Sequence, residues 1–421
     1  MQVVCFSLAI RVCKRLHFSM KRVSAYKDSA PVVSMGPSIS IPSWISDLTW
    51  KDRVLWDRAC LFLTSITQDD RVAVIYDDDG DGMSAAASVV IGLTRLRGKE
   101  PDLVVPFEKS DAYISDDLPY QMRKNGITKI ITVDKTVDEK GIAFMQTLEE
   151  IAPVLVIDHH RHMHPYSSDR FMLVKPQIIW ETEPSSFPTA ILAYTLFSCV
   201  TDLSDKDWIP SIGITSDCAY PRWKVFVDTV IQKWGLASVP ADPFEGPFGK
   251  MSGIIYATQV LSPRQLPELL DLLVENEKPQ DFLTSGFASL PPILDDEVKI
   301  WMEKLKTEAL VFPEMELVIA KVHPRHGIKS LLVNRLSTKE YPTFSVLLLQ
   351  DLGDSRVLIS ARRQDHKVPM NTLMEKAIEG MPTATGGGHV PAAAAGIRKQ
   401  DEEQFIENVK RLLATELKKK E

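Results

Sequence analysis

From residue 42 onward the apolar positions follow two rhythms. Short continuous runs, "RVAVIYD" at 71–77, "PDLVVPF" at 101–107, "KIITVDK" at 129–135 and "PVLVIDHH" at 153–160, are rich in β-branched residues and predict strands buried on both faces. Between them lie longer stretches with helical spacing. "MSAAASVVIGLTRLRG" at 83–98 predicts an alanine-rich helix stopped by Gly98, and "VDEKGIAFMQTLEEI" at 137–151 predicts a second. Strands alternating with helices predict an α/β domain built on a parallel sheet, where ligands bind beyond the carboxyl ends of the strands.

Those ends share a chemistry. Asp77 follows the first run, Asp134 the third, and Asp158, His159 and His160 the fourth, while "IPSIGITSDCAY" at 209–220 delivers Asp217 after a further short apolar run. Four segments are thus expected to aim carboxylates or imidazoles at one edge of one sheet. A single Asp at a strand end is usually a cap or turn residue, and a lone His pair is more often structural than a ligand. The repetition is what a solvated turn does not predict.

After Asp217 the pattern becomes helical through "ATQVLSPRQLPELLDLLVEN" and "LDDEVKIWMEKLKTEALVF", the second reading as a connecting helix. Beyond Pro313 strand signals return in "MELVIAKV", "TFSVLLLQD" and "SRVLISARRQ", then "TGGGHVPAAAAGI" and a terminal helix. The expected organisation is a weakly ordered leader (1–40), a catalytic α/β domain (41–240), a helical middle segment and linker (241–312), and a smaller α/β C-terminal domain (313–421). The active site is expected in the cleft between the two α/β domains.

Composition narrows the function. With 44% hydrophobic and 25% charged residues among 421, the chain is ordinary for a globular protein. A net charge of −7 argues against coating nucleic acid by bulk charge and suits binding through divalent cations. Five scattered cysteines without a C-x-x-C pair predict neither a disulfide framework nor a zinc knuckle, which points to a reducing cytoplasm. In "MQVVCFSLAIRVCKRLHF" the apolar part precedes the basic part, the reverse of a secretory signal, and no run reaches the length of a membrane span. Met20 and Met35 are alternative starts.

The densest chemistry is "YDDDGDGMSAA" at 76–86. Burying several carboxylates side by side costs several kcal/mol each unless positive charge sits between them, and oxygen-rich sites with few imidazoles suit Mn²⁺ or Mg²⁺. A spacing of two puts Asp77 and Asp79 on one side of an extended segment. A carboxylate from a neighbouring strand, such as Asp134, would bridge two ions roughly 3.5 to 4 Å apart, a spacing suited to in-line phosphoryl displacement by an activated water. Gly80 and Gly82 are expected to let the backbone turn sharply into the helix, whose N-terminal N–H groups receive a phosphate oxygen.

"DDDGDGMSAA" (77–86), "VD" (133–134), "DHH" (158–160), "GITSD" (213–217) and "TGGGHVPAAAAG" (385–396) together resemble the motifs of the DHH phosphoesterase superfamily with its associated C-terminal domain. The resemblance runs from about residue 70 to the end, without most of the middle helical segment. It implies that Asp77, Asp79, Asp134, His159 and Asp217 are metal ligands for two Mn²⁺ or Mg²⁺ ions, with Asp158 orienting a histidine from outside the ligand set. His160 would face the substrate phosphate, Arg362 and His389 would grip it from the C-terminal domain, and Gly386, Gly387 and Gly388 would allow close backbone approach.

Within the superfamily, Ala73 stands where the pyrophosphate- and pAp-hydrolysing branches carry a histidine. "YDDDGDGMSAA" resembles RecJ-type nucleases instead, and "GIKSLLVNRL" with "SARR" resembles archaeal RecJ-like proteins. Lys135 and Thr136 depart from the usual second motif, which leaves open whether Lys135 weakens metal affinity or contacts phosphate. The resemblance implies a metal-dependent exonuclease on single-stranded DNA or RNA, with a role in DNA replication or repair. Two alternatives stand beside it: a phosphodiesterase of short oligonucleotides or nucleotides, and a replication scaffold on the GINS complex. Trp223, Trp234 and Phe248 are weighed as base-stacking residues against core, and core is favoured.

Overall fold

The structure, a computed structural model, describes residues 41–106, 117–162 and 164–418. The leader expected over residues 1–40 lies outside the described residues. Eleven strands among the described residues form two sheets. The first sheet contains β1 (Val72–Tyr76), β2 (Leu103–Pro106), β3 (Lys129–Val133), β4 (Val154–Ile157) and β5 (Phe171–Val174), all parallel, in the order β2-β1-β3-β4-β5. The direction of winding reverses between β1 and β3, which opens a crevice where Asp77 and Asp134 leave their strands.

Both faces of this sheet are covered, as the uninterrupted apolar runs require. Val72, Val74 and Tyr76 face one hydrophobic cluster, while Ala73 and Ile75 face another on the opposite side. The helix Gly80–Arg97 is buried along most of its length and ends on Gly98, whose φ of 68° is the left-handed C-terminal stop expected from sequence. In the stretch 137–151, Gly141 (φ 88°) divides a short 3-10 turn, Val137–Lys140, from the helix Ile142–Ile151.

Two expectations are corrected. Asp217 does not follow a strand: "WIPSIGITS" forms the buried helix Trp208–Ser216, and Asp217 sits at its C-terminal end. Mostly apolar and almost wholly buried, a helix of this length reads like a buried strand over so short a stretch. Gly80 and Gly82 do not turn the chain through unusual φ values either. They lie in the first helical turn, and their missing Cβ atoms leave room for Ser216 and for the Asp77 backbone.

The second sheet holds β6 (Leu310–Phe312), β7 (Leu317–Lys321), β8 (Ser345–Asp351), β9 (Arg356–Arg362), β10 (Thr385–Gly388) and β11 (Ala392–Arg398) in the order β10-β11-β9-β8-β7-β6. Only β7 and β8 pair in parallel. Between the sheets, Phe248, Met251, Ile255, Leu266 and Leu270 from residues 247–275 join the core of the first domain. Helix Pro291–Glu308 packs Leu294, Val298 and Leu305 against the second sheet. Trp223 and Phe248 are core residues, so the stacking alternative for them falls away. No helix among the described residues is long and apolar enough to cross a membrane.

Candidate active site

The site forms where β1, β3 and β4 end. Asp79 caps the helix Gly80–Arg97, its Oδ1 accepting from the N–H groups of Asp81 and Gly82 at 3.0 Å each. The capping role anticipated for a lone Asp and the ligand role are therefore compatible in one side chain. Asp77, Asp79 and Asp134 bring carboxylate oxygens within 4.8 Å of one another, and Asp81, His159 and Asp217 do the same beside them. His159 links the two groups: its Nε2 is 3.2 Å from Asp217 Oδ2 and 3.7 Å from Asp134 Oδ1. Asp78 turns away and accepts from Gln259 at 2.7 Å.

Backbone geometry holds this arrangement. Asp134 (φ 59°) and Cys218 (φ 58°), the neighbour of Asp217, both occupy the left-handed region, which costs a non-glycine residue on the order of 1 kcal/mol. Thr189 donates its hydroxyl to Asp134 Oδ1 at 2.8 Å. Asp81, absent from the expected site, accepts the N–H groups of Thr189 and Ala190 at 2.7 and 2.9 Å, and so anchors the start of helix Thr189–Ser198 to the metal-type cluster. Its signal was the continued spacing of two from Asp77 through Asp79.

Electrostatics make the cluster a cation trap. Burial, reinforced by the charges of Asp81 and Asp79, pushes the Asp134 and Asp217 carboxyls well above their usual range. Burial raises Asp81 to about 7 despite its two N–H donors. The same burial, helped by the nearby His160, lowers His159 to about 3, so its ring is neutral and available as a ligand. Divalent cations among these groups would relieve a repulsion that protonation otherwise has to relieve, and the oxygen-rich donor set with one imidazole fits Mn²⁺ or Mg²⁺. Lys135 stands at the rim with its Nζ 3.0 Å from Asp77 Oδ2, where it partly neutralises that carboxylate.

His160 is set apart from the carboxylate cluster. Its Nδ1 is 2.7 Å from Asp158 Oδ1 and 3.8 Å from Asp134 Oδ1. Burial disfavours its charged form, but the Asp158 carboxylate outweighs that and raises its pKa. Asp158 thus orients His160. From the C-terminal domain, the hairpin of β10 and β11 brings the His389 ring to 5.7 Å from His159 and 5.8 Å from His160. The glycines expected to allow close backbone approach lie in strand β10. Gly388 (φ 139°) lies so close to its partner strand that a Cβ would meet Ala392 O at 2.5 Å, whereas a Cβ on Gly387 would stand in open space.

Arg362, at the end of β9, donates through Nε to Asn334 Oδ1 at 2.7 Å and through Nη1 to the Ala361 carbonyl at 2.9 Å. These bonds fix the guanidinium without an acidic partner, and burial lowers its pKa. Lys329, on the same helix as Asn334, is lowered to about 8 by burial and by the charge of Arg362. Sequence reasoning saw "GIKSLLVNRL" only as a resemblance and assigned no role to Lys329 or Asn334, because which face of that helix meets β9 is a tertiary fact.

The chain matches the DHHA1 domain family over residues 317–415. It is similar to the single-stranded-DNA-specific exonuclease RecJ of Salmonella typhimurium, 28% identical over 176 residues, and to that of Escherichia coli, 27% identical over 180. The matched stretches cover 40% and 41% of this chain but only 29% of each relative. Both relatives are bacterial, in contrast to the archaeal branch that the sequence resemblance suggested. Among solved structures, RecJ in complex with Mn²⁺ from Thermus thermophilus superposes with a TM-score of 0.64 at 17% identity, covering 88% of this chain and 56% of that one. A DHH domain described as a member of the s1p family of ribosomal proteins gives 0.67 at 14% identity, covering 88% and 94%. The chain therefore carries a DHHA1 domain over residues 317–415, and its likeness to RecJ proteins and structures supports a DHH-superfamily phosphoesterase.

Proposed function

We propose that the protein is a divalent-metal-dependent phosphodiesterase that degrades single-stranded nucleic acid, DNA or RNA, from an end. The observation that carries this reading is the convergence of Asp77, Asp79, Asp134, His159 and Asp217 into one half-buried cluster faced by His160 and His389. Those five side chains would hold Mn²⁺ or Mg²⁺, two ions in the present reading. When bound, such ions supply the charge that activates water and steadies the developing negative charge on phosphorus.

The chain's own residues divide the remaining work. His160, whose charged form the Asp158 carboxylate favours, offers a hydrogen bond to a phosphate oxygen. Arg362 and His389 hold the substrate from the opposite domain, and Gly387, where a Cβ would meet nothing, leaves room for a nucleotide backbone to come close. Docking on GINS, and a particular place in replication or repair, are not part of the proposal.

The test is incubation of the wild type and Asp79→Ala with Mn²⁺ and end-labelled single-stranded DNA and RNA, alongside pAp and dinucleotides. Progressive shortening of long strands by the wild type alone supports the proposal. Cleavage confined to the small substrates would replace it with an oligonucleotide phosphodiesterase, and no cleavage at all would favour a scaffold.

A further inference from the structure

Behind His160 lies an ion cluster that no ligand motif includes. Lys175 follows β5 directly, and its side chain is 0% exposed. Its Nζ is 2.9 Å from Asp138 Oδ1 and 2.9 Å from Asp158 Oδ2, both carboxylates also being fully buried. The same ammonium donates to the main-chain carbonyls of His160 and Arg161 at 3.1 Å each. Gln177 adds a bond to the His160 carbonyl at 2.8 Å. One cation therefore grips both the side chain and the backbone of the "DHH" turn, and ties the ends of β3, β4 and β5 together.

A lysine is tolerated there because its ammonium meets two buried carboxylates, Asp138 and Asp158, at 2.9 Å each. With Oδ2 of Asp158 committed to Lys175, only Oδ1 is left to meet His160 Nδ1 at 2.7 Å. That pairing keeps a proton on Nδ1 and turns Nε2 away from Asp158. We infer that Lys175 is a positioning residue which, through Asp158 and the His160 carbonyl, sets the orientation of the His160 ring toward the substrate phosphate. The functional half of this inference rests on the reading of His160 given above, and the structural half does not.

Lys175→Met alone strands two buried carboxylates and is expected to fold poorly. The informative variant is Lys175→Met with Asp138→Asn, which removes one charge of each sign and leaves Asp158 balanced by His160. Two readouts are made on it and on the wild type: steady-state hydrolysis of a single strand with Mn²⁺, and the downfield ¹H–¹⁵N imidazole signals of histidine-labelled protein without metal, His160 being identified by its loss in His160→Gln. The expected result is a folded double variant whose kcat drops about 10- to 100-fold, as for loss of an outer partner of a metal-site ligand, with KM little changed and the His160 Nδ1–H signal broadened or lost. Asp138→Asn alone, which keeps Lys175 on Asp158, should retain both kcat and the signal. An unchanged signal and kcat in the double variant would overturn the inference, as would failure of the double variant to fold, which would make Lys175 a scaffold residue. If the wild type hydrolyses nothing, the proposed function fails, while the ring signal still decides whether Lys175 positions His160.

Discussion

The two halves of the site solve opposite problems. At the edge of the parallel sheet, carboxylates are packed together, buried, and held by backbone N–H groups and a threonine hydroxyl, so the region is short of positive charge. In the C-terminal domain, the half-buried cations Arg362 and Lys329 have lowered pKa values, through desolvation and, for Lys329, the charge of Arg362. One surface is built for cations and the other for anions. A metal-bridged phosphate satisfies both, and neither surface alone explains the other. In the proposed function the first half carries the chemistry and the second the grip.

The sharpest way to break that division is His159→Ala. If the acidic half carries the chemistry, kcat should fall by at least about 10²-fold, since a ligand must matter as much as the outer partners whose loss costs that much. Circular dichroism should show the fold intact, and wild-type kcat would remove His159 from the ligand set. Arg362→Ala should act on the other half. Loss of a charged hydrogen bond, about 1.5–3 kcal/mol, predicts roughly a 10- to 100-fold rise in KM with kcat nearly unchanged. A fall confined to kcat would move Arg362 into the chemistry and erase the distinction.

Stability against pH probes the acidic half without substrate. Asp81, Asp134 and Asp217 bind protons more tightly folded than unfolded, so the folded state loses stability as pH rises through their titration. His159 and His389, whose pKa values lie below the ordinary 6.5, oppose this trend only below that pH. His160, raised above it, acts in the same sense as the carboxylates. In EDTA the melting temperature should therefore decline from pH 6.5 to about 8, and saturating Mn²⁺ should abolish the decline. A rise over that interval in EDTA would show that the carboxylates are compensated without metal.

The smallest effects separate two adjacent glycines. Gly388→Ala meets both an unfavourable φ and a backbone oxygen, and should cost about 1–3 kcal/mol in denaturant unfolding. Gly387→Ala meets nothing, so stability should hold while KM rises if the substrate lies against β10. Equal stability losses would mean that the glycines serve the hairpin only.

Much of this was legible from residue order. Most strands of the parallel sheet announced themselves because β-branched runs buried on both faces have no polar phase, and β1, β3 and β4 each carried candidate ligands at the end where such a sheet opens. Asp217 was placed in the cluster but after the wrong element, since a short, largely buried and mostly apolar run reads alike as helix or strand. Strand β5 went unnoticed within "DRFMLVKP", and Lys175 with it, because an isolated lysine after a short apolar run looks like any exposed one.

What the sequence by itself determined is the chemical inventory: which carboxylates and imidazoles end which segments, and their order. The winding order of the sheet, which seats β1 beside β3 and makes neighbours of Asp77 and Asp134, was decided only in three dimensions. So were the burial that shifts Asp134, Asp217 and His159 from their ordinary ionisation and the pairing of Lys175 with two carboxylates from different strand ends. Local pattern encodes period and polarity, whereas burial and charge pairing depend on distances between residues far apart in the chain, and those exist only once the core has closed.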